Sequence, residues 1–539
     1  MMKHNRFSIR HLFHFVALAT ALLLVSCYDD KGNYDYTTLD TLEITFPSTS
    51  YMIPIDENLV IDPMVNTSIP DNDLEYIWEL GDDHAKKSYY EFKEFAKGKK
   101  LDKSISSDAL FSGATTFSIR LHVQQISTGR NFYSPIIQLT SGQTGLLVLH
   151  GDDSQTDIGL IIDNEFCIGS DQQVERKIIA NYYSKVNDEE KIPGKGKLIF
   201  QRGGGSETEN PYFHAIYAIT DQSDVAVGYS DLRKIDGGWN TLFYGGLNKH
   251  QPEGIIQSSY DGTLTYAWTN LVVFDGGEVF GTYGDNPFLM AEFGSGNAML
   301  KPYDMAPYVL EGSSWMDCSL MFDRLTQGFV GILNYSNIYY KTEFPTDWVF
   351  PVDLEGAAFN PAHMNANLEW MGKGGVTDHG LAVFRRNNGT LFLAEMNLAA
   401  GSQYSDIPVA IYEMDGLPNI NSAFAYTAFP NGNTMYANFY ATPSGIYRFT
   451  VDGKGTPISA EPLHSLDGTA VSFGNEKVTM MKLEEVNGSQ RMYVATFDEA
   501  SKSGYVYTMS IDPTNGSVSS PINRYAGFER VSDVFIKHM

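Results

Sequence analysis

Four aromatic residues, Trp239, Tyr244, Trp348 and Trp370, have a type and setting suited to one chemistry, the stacking of a sugar's C–H face on a π system. Trp239 sits in Gly-Gly-Trp-Asn and Trp348 in Thr-Asp-Trp-Val ahead of Pro351, so both read as loop residues open to a ligand. Core packing competes for such side chains, and Trp268 and Trp315, in strand-like runs, belong to it. Other chemistries find less support. The chain contains no His-Glu-x-x-His, no Gly-x-Ser-x-Gly elbow and no Gly-x-x-x-x-Gly-Lys-Ser/Thr phosphate loop. Asp152, Asp153 and Asp157 offer oxygen ligands, but their spacing fits no EF-hand loop and reads as a polar turn. His150, His214, His250, His363 and His379 could ring a channel mouth, although a lone histidine is more often structural. The 65 acids offer carboxylate pairs for acid–base work at separations a sequence does not encode. No catalytic residue, metal or cofactor is expected.

The most specific chemistry belongs to Cys27. Lys3, Arg6 and Arg10 precede a short apolar run, Phe13 to Val25, which ends in Leu24-Val25-Ser26-Cys27. That stretch resembles the bacterial lipobox, in which the cysteine is acylated on sulfur and becomes the first residue after cleavage. Tyr28-Asp29-Asp30 follows, and the acidic pair Asp29 and Asp30 resembles the surface-export signal of Bacteroidota lipoproteins. Residues 1–26 are then a lipoprotein signal peptide and 27–40 a polar tether. The expected address is the outer membrane, lipid-anchored and facing the cell exterior.

The elements that would position a site begin at residue 41. The fold class expected is all-β, an N-terminal Ig/PKD-like β-sandwich followed by a β-propeller of about seven blades, closed by the C-terminal strand. Residues 41–140 form the sandwich, with strands expected at Thr41–Phe46, Leu59–Pro63, Leu74–Leu80, Phe117–Gln124 and Phe132–Leu139. Trp78 on the alternating third run should lie between the sheets. The spacing of Tyr89, Phe92 and Phe95 predicts a short helix over Ser88–Lys97. Seven lysines between Lys86 and Lys103 form a basic stretch, either solvated or held against an acidic partner.

Residues 141–539 carry short strands in units of roughly 50 to 60 residues, the period of a propeller. Lys477–Leu483, Arg491–Phe497 and Gly504–Asp512 make the clearest unit. Leu146–His150 and Ile158–Asp163 align with its second and third strands, which leaves the first blade without an inner strand. Glu529–Lys537 has strand character and should fill that place, closing the ring. Gln172–Val186 has helical spacing and reads as an insertion.

Composition agrees with a turn-rich β protein: 13% aromatic, with 49 glycines and only three cysteines, too few for a disulfide framework. Cys167 and Cys318 are left as free thiols or one pair. A net charge of −27 repels nucleic acid. The lipobox, the Tyr76-Ile77-Trp78-Glu79-Leu80-Gly81-Asp82 stretch and the propeller together resemble the PKD-like family lipoproteins of Bacteroidota. The stretch departs from the PKD signature at Glu79, where the family has Asp, and at Asp83, where it has Gly. The resemblance implies a non-catalytic accessory protein that captures a glycan or protein nutrient beside a TonB-dependent importer and its partner lipoprotein. The competing expectations are a propeller glycoside hydrolase or lyase with acids at the channel mouth, and a structural subunit of an importer complex.

Overall fold

The computed structural model describes residues 40–537 outside 53–57, 82–91, 104–115, 141–143, 167–175, 202–214, 236–251, 258–268, 284–290, 293–301, 311–317, 334–348, 400–403, 429–436 and the single positions 230, 275, 377 and 487. Cys27, Asp29, Asp30, Trp239, Tyr244 and Trp348 therefore lie outside the described residues, as do Cys167, His214, His250, Trp268 and Trp315.

The N-terminal part is a sandwich. Ser50–Met52, Ile137–Thr140, Thr116–Gln125, Leu74–Gly81 and Phe92–Lys97 lie in that order in the larger sheet, with Asn131–Tyr133 also paired to Thr116–Gln125. Two smaller pairs, Leu42–Thr45 with Met64–Thr67 and Leu59–Ile61 with Leu101–Lys103, cover its inner face. Phe117, Ile119, Leu121 and Val123 are buried, while Arg120 and His122 between them point outward to Glu79. Trp78 lies in the core as expected, fully buried, and its indole N–H donates to Gly98 O at 3.0 Å.

Two local expectations are corrected. Phe92–Lys97 is a strand, not a helix. The pairing register slips between Trp78 and Glu79, which partner Ala96 and Glu94, so Phe95 is an extra, bulged residue. The bulge turns Phe95 and Ala96 both toward the core and so breaks the two-residue alternation, while Phe92 lies on the outer face against Arg120. The three-residue spacing of the two phenylalanines only imitates a helix face. Of the described lysines here, Lys97 meets Glu75 at 2.7 Å and Lys100 meets Asp102 at 3.6 Å, both at the solvated surface, and Lys103 donates to Phe95 O. Separately, the run Phe132–Leu139 divides around Pro135, which has no N–H for the ladder.

From Gly145 onward the described residues form seven antiparallel sheets, the blades of a propeller. Blade 2 uses Gly196–Gln201, Ile216–Thr220 and Asp224–Val227; blade 3 runs from Pro252–Gln257 to Ala291–Glu292. Blade 4 comprises Cys318–Asp323, Gly328–Leu333 and Val349–Pro351, with bridges from Met305 and Leu310 on its inner side. Blades 5, 6 and 7 are complete four-stranded units that start at Asn367–Lys373, Ala425–Ala428 and Lys477–Val486.

Blade 1 is assembled from both ends of this region. Its order is Lys177–Ile179, Gln155–Ile162, Gly145–Gly151, Arg530–Lys537, so the C-terminal strand takes the inner place. Gly145 pairs with Lys537 and Gly151 with Arg530, as the sequence predicts for ring closure. Val531, Val534 and Ile536 of this strand pack with Leu146, Val148, Met480, Tyr493 and Ala495, joining blade 7 to blade 1. Of the helix expected over Gln172–Val186, the described residues show Tyr182–Val186; Lys177–Ile179 is the outer strand of blade 1, since its isoleucines complete the sheet beside Leu160–Ile162.

Antiparallel order fixes what each face presents. The starts of the inner strands, at Gly196, Ala425, Lys477 and Arg530, share a face with the turns between second and third strands, such as Gly151–Gln155 and Asp498–Ser503. Gly145, where the chain comes in from the sandwich, lies at the far end of its strand and so on the opposite face.

Candidate functional site

A pocket of about 700 Å³ occupies the first of these faces, at the mouth of the ring over blades 6, 7, 1 and 2. Such a volume is in the range of small-molecule sites. Its walls are strand starts and turns: Gly151–Asp153, Lys195–Lys197, Phe424, Pro443, Val478, Thr479, Phe497, and the stretch Glu529–Ser532 at the start of the closing strand. The backbone of Gly196 makes this arrangement possible. A Cβ there would sit 2.5 Å from Ser532 Oγ and 3.1 Å from the Leu149 side chain, so a larger residue would have to displace these side chains where the inner strand of blade 2 approaches blade 1. The lysines on either side, Lys195 and Lys197, are thereby set at the mouth.

Two aromatic rings give the pocket its apolar surface. Phe424 is 44% exposed, unusual for a phenylalanine, whereas Phe497 is buried beneath the Arg530 guanidinium at 4.2 Å from ring centroid to carbon.

Each of the pocket's described carboxylates has at least one partner. Glu499 accepts from Lys502 at 2.9 Å and Arg530 at 2.8 Å, and these bonds hold its pKa below the ordinary glutamate value. Asp153 pairs with Lys195 at 3.0 Å and Glu529 with Lys191 at 3.1 Å. Asp152 closes its own turn by accepting from the Ser154 hydroxyl and from the amides of Ser154 and Gln155, which lower its pKa. The lowered pKa values of Glu499 and Asp152 make these two poor proton donors. The arrangement suits recognition by stacking and charge.

Below the mouth, two inner strands place a charged cluster inside the ring. Lys482 donates to Val534 O at 2.8 Å and pairs with Glu484 at 2.9 Å and Asp533 at 3.8 Å. Burial works against its charge, but the two carboxylates outweigh burial and raise its pKa. Asp533 accepts from the amides of Ile199 and Val534, so one side chain binds blade 1 to blade 2 while also facing blade 7. This cluster fixes the walls on which the mouth stands.

Of the candidate histidines that the structure describes, His150 and His379 are structural. His150 is buried; its Nε2–H donates to Ala180 O at 2.7 Å and its Nδ1 accepts from Glu529 N at 3.1 Å, and burial lowers its pKa. It thereby pins the start of the closing strand. His379 meets buried Glu395 at 2.7 Å, and the Tyr412 hydroxyl donates to the other Glu395 oxygen at 2.6 Å while accepting from Gly453 N of blade 6. His363 lies in a short turn of 3₁₀ helix, Pro361–His363. Trp370, a sequence candidate for ligand contact, lies on the inner strand of blade 5, half-buried, with its ring 6.0 Å from that of Tyr426 and packed between blades 5 and 6. It is not among the residues that line the mouth. Asp157, considered above as an oxygen ligand, is buried and accepts from Ser184 N and Oγ. Among the described residues no group of three or more His, Cys, Asp or Glu is placed to hold a metal ion.

Comparison with known proteins bears on the N-terminal part. A model of the PKD-like family matches residues 27–195, which takes in the sandwich and the first strands of blade 1. No curated protein matches the chain. Among solved structures, a quinonprotein alcohol dehydrogenase-like protein from Bacteroides thetaiotaomicron matches at 12% identity over 91% of this chain and 97% of that one, with a TM-score of 0.35. AztD from Citrobacter koseri matches at 8% identity over 86% and 97%, TM-score 0.33. A GH43 β-1,3-galactosidase matches at 11% over 54% and 96%, TM-score 0.29. The architecture itself rests on the strand pairing of this chain.

Proposed function

We propose that this protein is a non-catalytic, lipid-anchored binding protein of the outer membrane, which presents the propeller mouth to a glycan and acts beside a TonB-dependent importer. The observation that carries the reading is the mouth pocket, which combines an exposed phenylalanine with carboxylates already committed to cations or turn amides. The sequence around Cys27 supports the anchor, and the Asp29–Asp30 pair supports display outside the cell. The chain's arrival on the face opposite the pocket leaves the mouth free to meet ligand. The full chain is tested on a glycan array, with product analysis of every sugar bound. Binding without turnover is the expected result. Release of shortened sugars would overturn the reading and move the argument to the carboxylates of the mouth.

A further inference from the structure

We propose that the mouth pocket takes an anionic oligosaccharide, one whose sugars carry carboxylate or sulfate, with Lys197 as its charge contact and Phe424 as its stacking surface. The inference rests on the reading of the mouth as a glycan site.

Charge balance is the first ground. The whole chain has 38 basic and 65 acidic side chains, but the pocket is lined by four of each. At physiological salt a charge is screened beyond about 8 Å, so a ligand in the pocket feels this local balance and not the net charge of the chain. Within the balance, each lining acid already has a cation or a set of turn donors. Arg530 and Lys502 are taken by Glu499, and Lys195 by Asp153. Lys197 is exposed and has no carboxylate partner among the described residues. It is the cation left over for a ligand's anion.

Geometry is the second ground. Phe424 comes from the start of blade 6 and Lys197 from the inner strand of blade 2, with the closing strand of blade 1 and the start of blade 7 completing the walls. A ligand that spans them needs an apolar face at one end and an anion at the other, which a uronate or sulfated sugar supplies within a few rings. Thr479 and Ser532 also line the wall, with their hydroxyls donating to Val531 O and Leu149 O. An extended acidic peptide fits less well. Peptides add to a sheet by pairing along a strand edge, whereas this pocket is built from strand ends and turns.

The test titrates the full chain in 0.15 M salt by calorimetry with trigalacturonate, dextran sulfate and their neutral parents, galactotriose and dextran. At least one anionic sugar is expected to bind about tenfold tighter than its parent, and which one does so separates carboxylate from sulfate. Lys197→Gln should abolish that preference. Lys197→Arg should retain most of it, and Phe424→Ala should weaken both sugars. Equal binding of charged and neutral sugars, or a preference that survives Lys197→Gln, would overturn the anionic proposal and leave the glycan reading in place. Binding of poly-glutamate with no sugar bound at all would overturn both.

Discussion

Removing residues 529–539 takes away the inner strand of blade 1 and tests the closed ring directly. Val531, Val534 and Ile536 are each 3% exposed or less, packed between blades 1 and 7. A fully buried aliphatic side chain stabilises by about 1.5–3 kcal/mol, so the three together contribute on the order of 5–9 kcal/mol. A typical domain has a net stability of about 5–15 kcal/mol, so the deletion removes much of it. It also strips the ladder from Gly145–Gly151, whose residues are all buried, and leaves an apolar strand edge open to aggregation. Val534→Ala is the milder form: two methyl groups lost from a site with no exposure, about 2 kcal/mol with its cavity. Urea unfolding followed by tryptophan fluorescence is the assay, with the midpoint compared among the full chain, the deletion and Val534→Ala. A small drop for the substitution and loss of the cooperative transition for the deletion are expected. A deletion that unfolds at the same midpoint as the full chain would refute the reasoning, because the ring would then not depend on its last strand.

The histidine that pins this strand makes stability depend on pH. Burial depresses the His150 pKa, so on acidification the unfolded chain takes up its proton first. The stability is then full above the ordinary histidine value of about 6.5 and falls as pH drops below it. The drop in urea midpoint between pH 7.5 and pH 5.5 should shrink in His150→Gln, and an unchanged drop would exclude His150 as its source. Glu395→Gln replaces a fully buried acceptor of two donors by a group with one acceptor oxygen, so it should cost about 2–4 kcal/mol in the same assay. Gly196→Ala forces the inner strand of blade 2 away from Ser532, so it should weaken any ligand held at the mouth by about tenfold or more, read by calorimetry; a variant that binds normally would show that the close approach is dispensable.

The fold was legible where a local pattern had one physical cause. The apolar run at Leu146–His150 requires partners on both sides, and the strand-like Glu529–Lys537 was left without one, so the closure followed. Trp78 was legible for the same reason, on an alternating strand between turns. Phe92–Lys97 was misread because a bulge is a feature of pairing, and its partner strand begins at Leu74, a chain distance over which periodicity carries no signal. The mouth was the least legible part. Lys197, Phe424 and Arg530 lie far apart in the chain, each in a stretch that reads as an ordinary strand start, and ring closure alone brings them together. Among the described residues the aromatics at the mouth are Phe424 and Phe497, while Trp239, Tyr244 and Trp348 lie outside those residues.

The way blade 1 is put together also has a mechanical meaning. Gly145–Gly151 is hydrogen-bonded on one side to Arg530–Lys537 and on the other to Gln155–Ile162. Consider a pull applied at Gly145 along the axis of this strand. Both ladders are then loaded in shear, with their bonds sharing the force at once, and none can be peeled away in sequence. The two ends of the propeller thus act as a clasp that tension along this strand must break as a whole.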